Sequence, residues 1–301
     1  MAKSQKLRVA ILGTGKIGTD LLVKVMRSAH LECVAMVGRR PSSEGIVRAE
    51  SEGIPNSCAG IRFLQDNTTA FELVFDATSA AGHTAHALIF SELVKVAVDL
   101  TPAGIGYPCV PAVNMDDVLT RENVNVVTCG GQAAIPIAHA IGRSQRVVDY
   151  VEVVSTIAAN SAGPATRLNL DEYIRTTELG VMRFGRCTRA KAILNVNPAR
   201  PCVDMQTTIF ATVPDPDLAA LRRELVTTSA RVRRYVPGYE IIVGPTVENG
   251  RITVMTRVRG RGDYLPPYAG NLDIVNCAAV AFAEELARRS MPAPLHDPAA
   301  G

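Results

Sequence analysis

Through the first part of the chain, short apolar runs alternate with segments whose apolar positions recur at helical spacing. Leu7–Leu12 predicts a strand, and a helical pattern runs from Thr19 to Ser28 after a glycine-rich turn. Further strands are predicted at Glu32–Val37, Glu72–Ala77 and Val94–Leu100, with helical patterns after Ser43 and after Ala80. Asn114–Thr120 reads as a short helix, and the β-rich run Asn123–Val127 as a strand that continues to Thr128. Such alternation implies a doubly wound parallel sheet with helices on both faces.

The pattern changes from Val147 onward. Val147–Ala158 is a long β-branched run, Ser161–Thr166 reads as a loop, and a helix follows through Asp171-Glu172-Tyr173. Strands are predicted at Lys191–Val196, Gln206–Val213, Glu240–Val247 and Arg251–Arg259, forming a mostly antiparallel sheet around a helix at Asp217–Arg234. Asn271–Arg289 reads as an amphipathic helix that returns to the first domain, and Pro292 onward as a loose tail. The expected organisation is α/β: residues 1–128 form a dinucleotide-binding domain completed by the helix 271–290, and 129–270 form a second, α+β domain.

A length of 301 residues suffices for two domains, and 47% hydrophobic with 20% charged residues is ordinary for a globular chain. The net charge of +3 is spread over both signs, with no basic stripe and no interleaved aromatics, so a nucleic-acid partner is not expected. No spanning segment or signal peptide is read, so neither is a membrane. The seven cysteines are scattered without a C-x-x-C, which argues against a disulfide framework or a zinc knuckle and for a reducing, cytoplasmic setting.

Chemistry concentrates at two stretches. Gly13-Thr14-Gly15-Lys16-Ile17-Gly18 is a G-x-G-x-x-G string between a strand and a helix, the context in which such glycines hold a dinucleotide pyrophosphate. An acidic residue for the ribose is expected at the end of the second strand. Arg39 and Arg40 stand there instead, either accommodating a 2′-phosphate or lying as solvated loop charges. The second stretch is Val127-Thr128-Cys129-Gly130-Gly131-Gln132, followed by Ala133–Ala138 as the first turns of a helix in which Pro136 sits early. Cys129 then lies at a helix N-terminus, where free N–H groups and the dipole lower a thiol pKa, and the N–H groups beside Gly130 and Gly131 are placed to hold an oxyanion. Cys129 is therefore either a covalent nucleophile or a small buried cysteine at a tight turn. His83 and His86 have ligand-like spacing but lack a companion cluster, and read as helix-end polar groups. No metal site is expected. His139 lies too far along its helix to act as a base for Cys129.

A Rossmann half followed by a cysteine at a domain junction resembles the phosphorylating aldehyde and semialdehyde dehydrogenases. The detailed strings are more similar to the acylating acetaldehyde dehydrogenases of meta-cleavage aromatic catabolism. They are Gly13–Leu21, Asp99-Leu100-Thr101-Pro102-Ala103, Val110–Asn114, Val127–Ala133, Ser161-Ala162-Gly163-Pro164 with Thr166-Arg167, Asn197-Pro198-Ala199, and Tyr264-Leu265-Pro266 with Tyr268–Asp273. They span nearly the whole chain in order. The resemblance implies oxidation of a small aldehyde such as acetaldehyde or propanal with NAD and coenzyme A, giving acyl-CoA and NADH, with Cys129 as nucleophile. It implies cofactor contacts from Gly13, Thr14, Gly15, Lys16 and Ile17, from Ser161, Ala162, Gly163, Pro164, Thr166, Arg167 and Asn169, and from Asn271. Asn271 also suits the role of a helix cap. The resemblance further implies a dimer, built through the second domain, in a larger complex with a 4-hydroxy-2-oxovalerate aldolase that passes on the aldehyde.

The chain departs from that pattern after Asn-Pro-Ala, reading Arg200-Pro201-Cys202-Val203-Asp204-Met205-Gln206-Thr207-Thr208. Thr207 occupies the position where an aspartate is expected to assist the cysteine, and a hydroxyl is no general base at neutral pH. Asp204, at an odd offset on an extended segment, faces the other way. Arg40 replaces an acidic residue common in the family, which leaves NADP open beside NAD. Two other readings remain: a non-CoA semialdehyde or acyl-phosphate dehydrogenase of the same architecture, and a non-catalytic NAD-binding partner subunit of an aldolase.

Overall fold

The computed structural model describes residues 6–290, excepting the side chains at 164 and 165. The segment from Pro292 lies outside the described residues. The first part of the chain builds β1 (Leu7–Leu12), α1 (Lys16–Arg27), β2 (Leu31–Val37), α2 (Glu44–Ser51), β3 (Asn56–Ser57), α3 (Ile61–Asp66) and β4 (Leu73–Asp76). It continues through α4 (Ala80–Glu92), β5 (Val96–Asp99), β6 (Tyr107–Pro108), α5 (Pro111–Val118) and β7 (Asn123–Asn125). These strands form one parallel sheet in the order β3-β2-β1-β4-β5-β7-β6, with the reversal between β1 and β4 that creates a ligand crevice. Val9, Ile11, Leu73, Phe75 and Val98 are buried within it, which explains their near-continuous apolar runs.

α6 (Cys129–Ser144) leads from this sheet to β8 (Tyr150–Ala158), a 3₁₀ turn (Ala159–Ser161), α7 (Pro164–Leu168) and α8 (Leu170–Gly185). β9 (Arg189–Asn197), β10 (Met205–Thr212), α9 (Leu218–Arg233), β11 (Tyr239–Glu248) and β12 (Arg251–Val258) follow, and α10 (Gly270–Ser290) ends the described chain. The second sheet has the order β11-β12-β10-β8-β9, antiparallel except for the β8–β9 pair. α6 packs against α8, α9 and α10 and against β10, so one helix touches both halves.

α10 returns to the first half as its amphipathic pattern predicts. Ile274, Phe282 and Ala283 join the core that holds Val9, Leu21 and Phe75. A buried ionic hub fastens it there: Lys24 Nζ on α1 lies 2.6 Å from Asp20 and 2.8 Å from Asp273 on α10. Burial by itself pulls the Lys24 ammonium down, and the carboxylates of Asp20 and Asp273 more than reverse it.

Several boundaries differ from the sequence expectation. α1 begins at Lys16 rather than Thr19, inside the glycine string. The strand before the cysteine stops at Asn125, because Val127 takes a left-handed φ of +60°, costly for a β-branched residue. α6 starts at Cys129 itself, so Pro136 lies in the helix interior rather than in its first turn and the bond from its nitrogen is missing. Of the segment read as a loop, Ala162 and Gly163 are irregular, while Ser161 ends a 3₁₀ turn and α7 begins at Pro164.

Candidate active site

The site lies where α6 leaves the first sheet. Thr128 caps α6: its Oγ1 accepts the Gly131 N–H at 2.9 Å. Thr177 Oγ1 on α8 donates to the Tyr173 carbonyl at 2.7 Å, so in its 2.7 Å contact with Thr128 it accepts. This chain of bonds locks α8 against the start of α6. It brings the Tyr173 hydroxyl to 3.8 Å from Cys129 Sγ. Gly130 makes the approach possible, since a Cβ there would lie 2.2 Å from the phenol oxygen.

Behind the phenol stand further hydroxyls. Ser155 on β8 stands beside the phenol, since the Cβ that Gly130 lacks would also lie 2.9 Å from Ser155 Oγ, and that Oγ lies 3.1 Å from Thr207 Oγ1 on β10. Ser155 and Thr207 are directly paired in the sheet register, and both are buried. Thr207, read as an empty place beside the cysteine, is thus joined to it through two intervening hydroxyls. No contact of Asp204 with this group is seen.

Two expectations about Cys129 need correction. Burial pushes its thiol up to about 11, while Tyr173 and the N–H groups of Gly130 and Cys129 itself draw it down by less. The helix N-terminus alone does not produce a thiolate at neutral pH. Secondly, the Gly131 N–H is consumed by the Thr128 cap and the Gln132 N–H by the Thr128 carbonyl at 2.8 Å. Of the two amides assigned to an oxyanion, only that of Gly130 faces the sulfur and the phenol.

The glycine turn has the geometry its sequence implies. Gly13 adopts φ +115°, and a Cβ there would lie 2.5 Å from the Ala77 carbonyl oxygen. At Gly15 a Cβ would meet nothing within 4 Å, leaving that side of the backbone open to a ligand. The Thr14 carbonyl accepts the Gly45 N–H and fastens the turn to α2. Lys16 Nζ reaches the Asn160 carbonyl at 3.4 Å, joining the turn to the Ser161 segment. Ile17 packs beside Leu265 and Leu272.

In that segment Ser161 is buried, with its Oγ donating to the Ala158 carbonyl, and Ala162 belongs to the main core. Gly163, Pro164 and Thr166 follow at and in α7; the Pro164 side chain lies outside the described residues. Arg167 Nε donates to the Ala162 carbonyl, and the Asn169 carbonyl accepts the Tyr173 N–H at 3.0 Å. Asn271 is inside the first turn of α10 rather than a cap. Its Oδ1 is buried without a hydrogen-bond partner, an acceptor suited to a carboxamide N–H. The open turn and this orphaned acceptor fit a bound dinucleotide. Arg39 and Arg40 are exposed at the end of β2.

His83 and His86 lie near the start of α4 as polar groups, and His83 is fully buried there. Ser79 caps α4, while both imidazoles bond Asp76 Oδ2, at 3.0 and 2.9 Å, and His83 Nε2 lies 3.5 Å from Asp99. His83, Asp76 and Asp99 are fully buried. Among the described residues no His, Cys, Asp and Glu group is arranged to hold a metal. His139 bonds the Phe184 carbonyl, away from Cys129 as expected. All seven cysteines are free. Among the described residues no helix is long and apolar enough to cross a membrane.

Sequence reasoning missed Tyr173 and Ser155 as neighbours of the sulfur. The available signal was Ser155, a lone polar residue in the inward-facing set Val151, Val153, Ile157 of β8.

Comparison with known proteins gives a consistent picture. Residues 129–266 match the family model described as prokaryotic acetaldehyde dehydrogenase, dimerisation. The chain is 56% identical over 285 residues to an acetaldehyde dehydrogenase of Spirochaeta aurantia, covering 95% of this chain and 96% of the relative. It is 50% identical to an acetaldehyde dehydrogenase of Burkholderia thailandensis, over 93% of this chain and 95% of the relative. Among solved structures, aspartate semialdehyde dehydrogenase II of Vibrio cholerae superimposes with a TM-score of 0.64 over 96% of this chain and all of that one. At 14% identity that likeness concerns the fold.

Proposed function

The chain belongs to the acetaldehyde dehydrogenase family, and on that premise we propose that it is a CoA-acylating aldehyde dehydrogenase that uses Cys129 as a covalent nucleophile. It oxidises acetaldehyde or propanal with NAD and coenzyme A to acyl-CoA and NADH. The observation that carries this reading is the placement of Cys129: first residue of the helix that joins the two halves, against a phenol hydroxyl and the Gly130 N–H.

The sulfur of Cys129 adds to the aldehyde carbon, and the thiol proton passes to the carbonyl oxygen, giving a hemithioacetal on the enzyme. When bound, the oxidised nicotinamide takes up a hydride. Loss of that hydride from carbon, with the hydroxyl proton released to solvent, would leave a thioester on Cys129. The thiol of coenzyme A then attacks the thioester carbonyl, and Cys129 departs as the leaving thiol. The residues that would hold the dinucleotide are Gly13, Thr14, Gly15, Lys16 and Ile17 at the turn, Ser161, Ala162, Gly163, Pro164, Thr166, Arg167 and Asn169 across from it, and Asn271 through its unpaired Oδ1.

The proposal extends to a homodimer built through 129–266, matching the dimerisation model, that works in the cytoplasm beside a 4-hydroxy-2-oxovalerate aldolase. Size-exclusion chromatography with light scattering, alone and with that aldolase, reads both assemblies. The deciding experiment is NADH formation from acetaldehyde with and without coenzyme A, beside Cys129→Ala and a parallel NADP⁺ assay. CoA-dependent turnover lost in Cys129→Ala is the expected result. Turnover in phosphate without CoA moves the reading to an acyl-phosphate dehydrogenase, and dinucleotide binding without any turnover to a binding subunit. A preference for NADP⁺ assigns Arg39 and Arg40 to a 2′-phosphate.

A further inference from the structure

We propose that Tyr173 is a catalytic residue of this chain, the hydrogen-bond partner that exchanges roles with the Cys129 sulfur, and that Ser155 and Thr207 position it. The proposal rests on Cys129 being the nucleophile.

The donors around the phenol oxygen carry the inference. The Gly130 N–H beside that oxygen can only donate, and Gly130 puts no side chain between the phenol and Ser155: a Cβ there would lie 2.2 Å from the phenol oxygen and 2.9 Å from Ser155 Oγ. The phenolic proton is then left with two acceptors, Cys129 Sγ at 3.8 Å and Ser155 Oγ. Ser155 in turn has Thr207 Oγ1 at 3.1 Å, where either hydroxyl can donate. Two complementary orders exist. With a thiol, the S–H donates to Tyr173, Tyr173 to Ser155, and Ser155 to Thr207. With a thiolate, each hydroxyl turns about its C–O bond: Thr207 donates to Ser155, Ser155 to Tyr173, and Tyr173 to the sulfur. No proton crosses the array, so no base is needed within it; the thiol proton itself goes to the carbonyl oxygen during addition. The array stabilises the sulfur as its negative charge develops, and again when it leaves as CoA attacks.

A carboxylate at Thr207 is therefore unnecessary here. No carboxylate is among the groups that shift the Cys129 thiol. The shift of Cys129 arises from burial, Tyr173 and backbone N–H groups. Tyr173 itself stays protonated, since burial and the neighbouring sulfur raise its pKa well above the ordinary value.

The test is the pH profile of iodoacetamide alkylation at Cys129, read by peptide mass mapping, for wild type, Tyr173→Phe and Ser155→Ala, with acyl-CoA formation assayed on the same preparations. Tyr173→Phe is expected to lower alkylation at a fixed pH by about tenfold or more, as loss of a hydrogen bond to a charged group requires, and to lower kcat without raising KM. Ser155→Ala shifts the profile the same way by less. Replacing Tyr173 by a fluorinated tyrosine, a stronger donor of nearly the same shape, moves the profile to lower pH, which a purely structural role would not do, and it decides the matter if Tyr173→Phe fails to fold. Unchanged profiles and kcat in Tyr173→Phe, or no shift with fluorotyrosine, overturn the inference while leaving the acylating reading intact. A Tyr173-dependent profile without acyl-CoA formation upholds the inference and removes the substrate assignment.

Discussion

Two buried polar clusters sit within this molecule, and they solve the same problem in opposite ways. Around His83 the groups are ionisable: Asp76 and Asp99 lie 3.0 and 3.5 Å from its imidazole, and His86 shares Asp76 at 2.9 Å. Around Cys129 they are neutral hydroxyls from Tyr173, Ser155 and Thr207. The charged cluster fixes its protonation states. Burial raises Asp76, and the hydrogen bonds from His83, His86 and Thr78 overcome this to leave it at about 2. Burial lowers His83, and Asp76 and Asp99 more than reverse it. Asp99 remains pushed up to about 6 because burial outweighs His83, Thr101 and Asn125. The neutral cluster imposes no charge, so the thiol stays high until chemistry draws a charge onto it. Fixed ions suit a scaffold, and reversible dipoles suit a group that must alternate between thiol and leaving group.

The sharpest way to break the comparison is to empty each cluster. His83→Ala takes one partner from each of two buried carboxylates, leaving Asp76 to His86 and Thr78 and Asp99 to Thr101 and Asn125, and should cost about 3 kcal/mol at neutral pH, measured by urea denaturation. A loss below about 1 kcal/mol would show that the ions are not coupled as described. Acid probes the same cluster without mutation. The depressed Asp76 contributes stability that is present above about pH 4 and lost as pH falls towards 2, worth roughly 2 kcal/mol. Asp99 acts in the other direction, costing stability above pH 6 and releasing that cost as pH falls from 6 towards 4. The raised His83 adds stability that is complete below its unfolded value and fades as pH climbs through its folded one. Stability should therefore rise on acidification from neutrality, then fall steeply below about pH 4, and a difference profile against His83→Ala isolates the cluster.

On the neutral side, Gly130→Ala places a methyl group 2.2 Å from the phenol oxygen and should cost about 1–3 kcal/mol together with activity. Adding Tyr173→Phe to Gly130→Ala should restore most of the stability and none of the activity, by thermal melting and NADH assay. The smallest effect belongs to Ser155→Ala with Thr207→Val. Removing both members of a hydrogen-bonded pair should change stability by about 1 kcal/mol or less, although turnover falls.

The two clusters were also unequally legible in the sequence. Gly13–Gly18 and Cys129 lie in contiguous strings, and the structure puts the glycine turn between β1 and α1 and the cysteine at the start of α6. The layout of two sheets and the return of the last helix followed from periodicity. Tyr173 and Ser155 were not legible as partners of the sulfur. They come from α8 and β8, and only the packing of those elements on α6 brings them together. His83 and His86 lie near the start of a helix as read, but their spacing gives no hint of their partner Asp76 at the end of a neighbouring strand. The thiol was misjudged because a helix N-terminus is visible in sequence, whereas the depth at which it is buried is not.

Lys24 carries one more consequence. The core around β1 and α1 is closed by Ile274 and Phe282, and the hub binds Asp20 to Asp273 across more than two hundred and fifty residues of chain. A polypeptide leaving the ribosome thus exposes its glycine turn on an unfinished scaffold until α10 has emerged. The first half is made early and completed last, so vectorial synthesis cannot finish it as an independent unit, and the apolar face awaiting α10 is the surface a nascent-chain chaperone has to cover in the meantime.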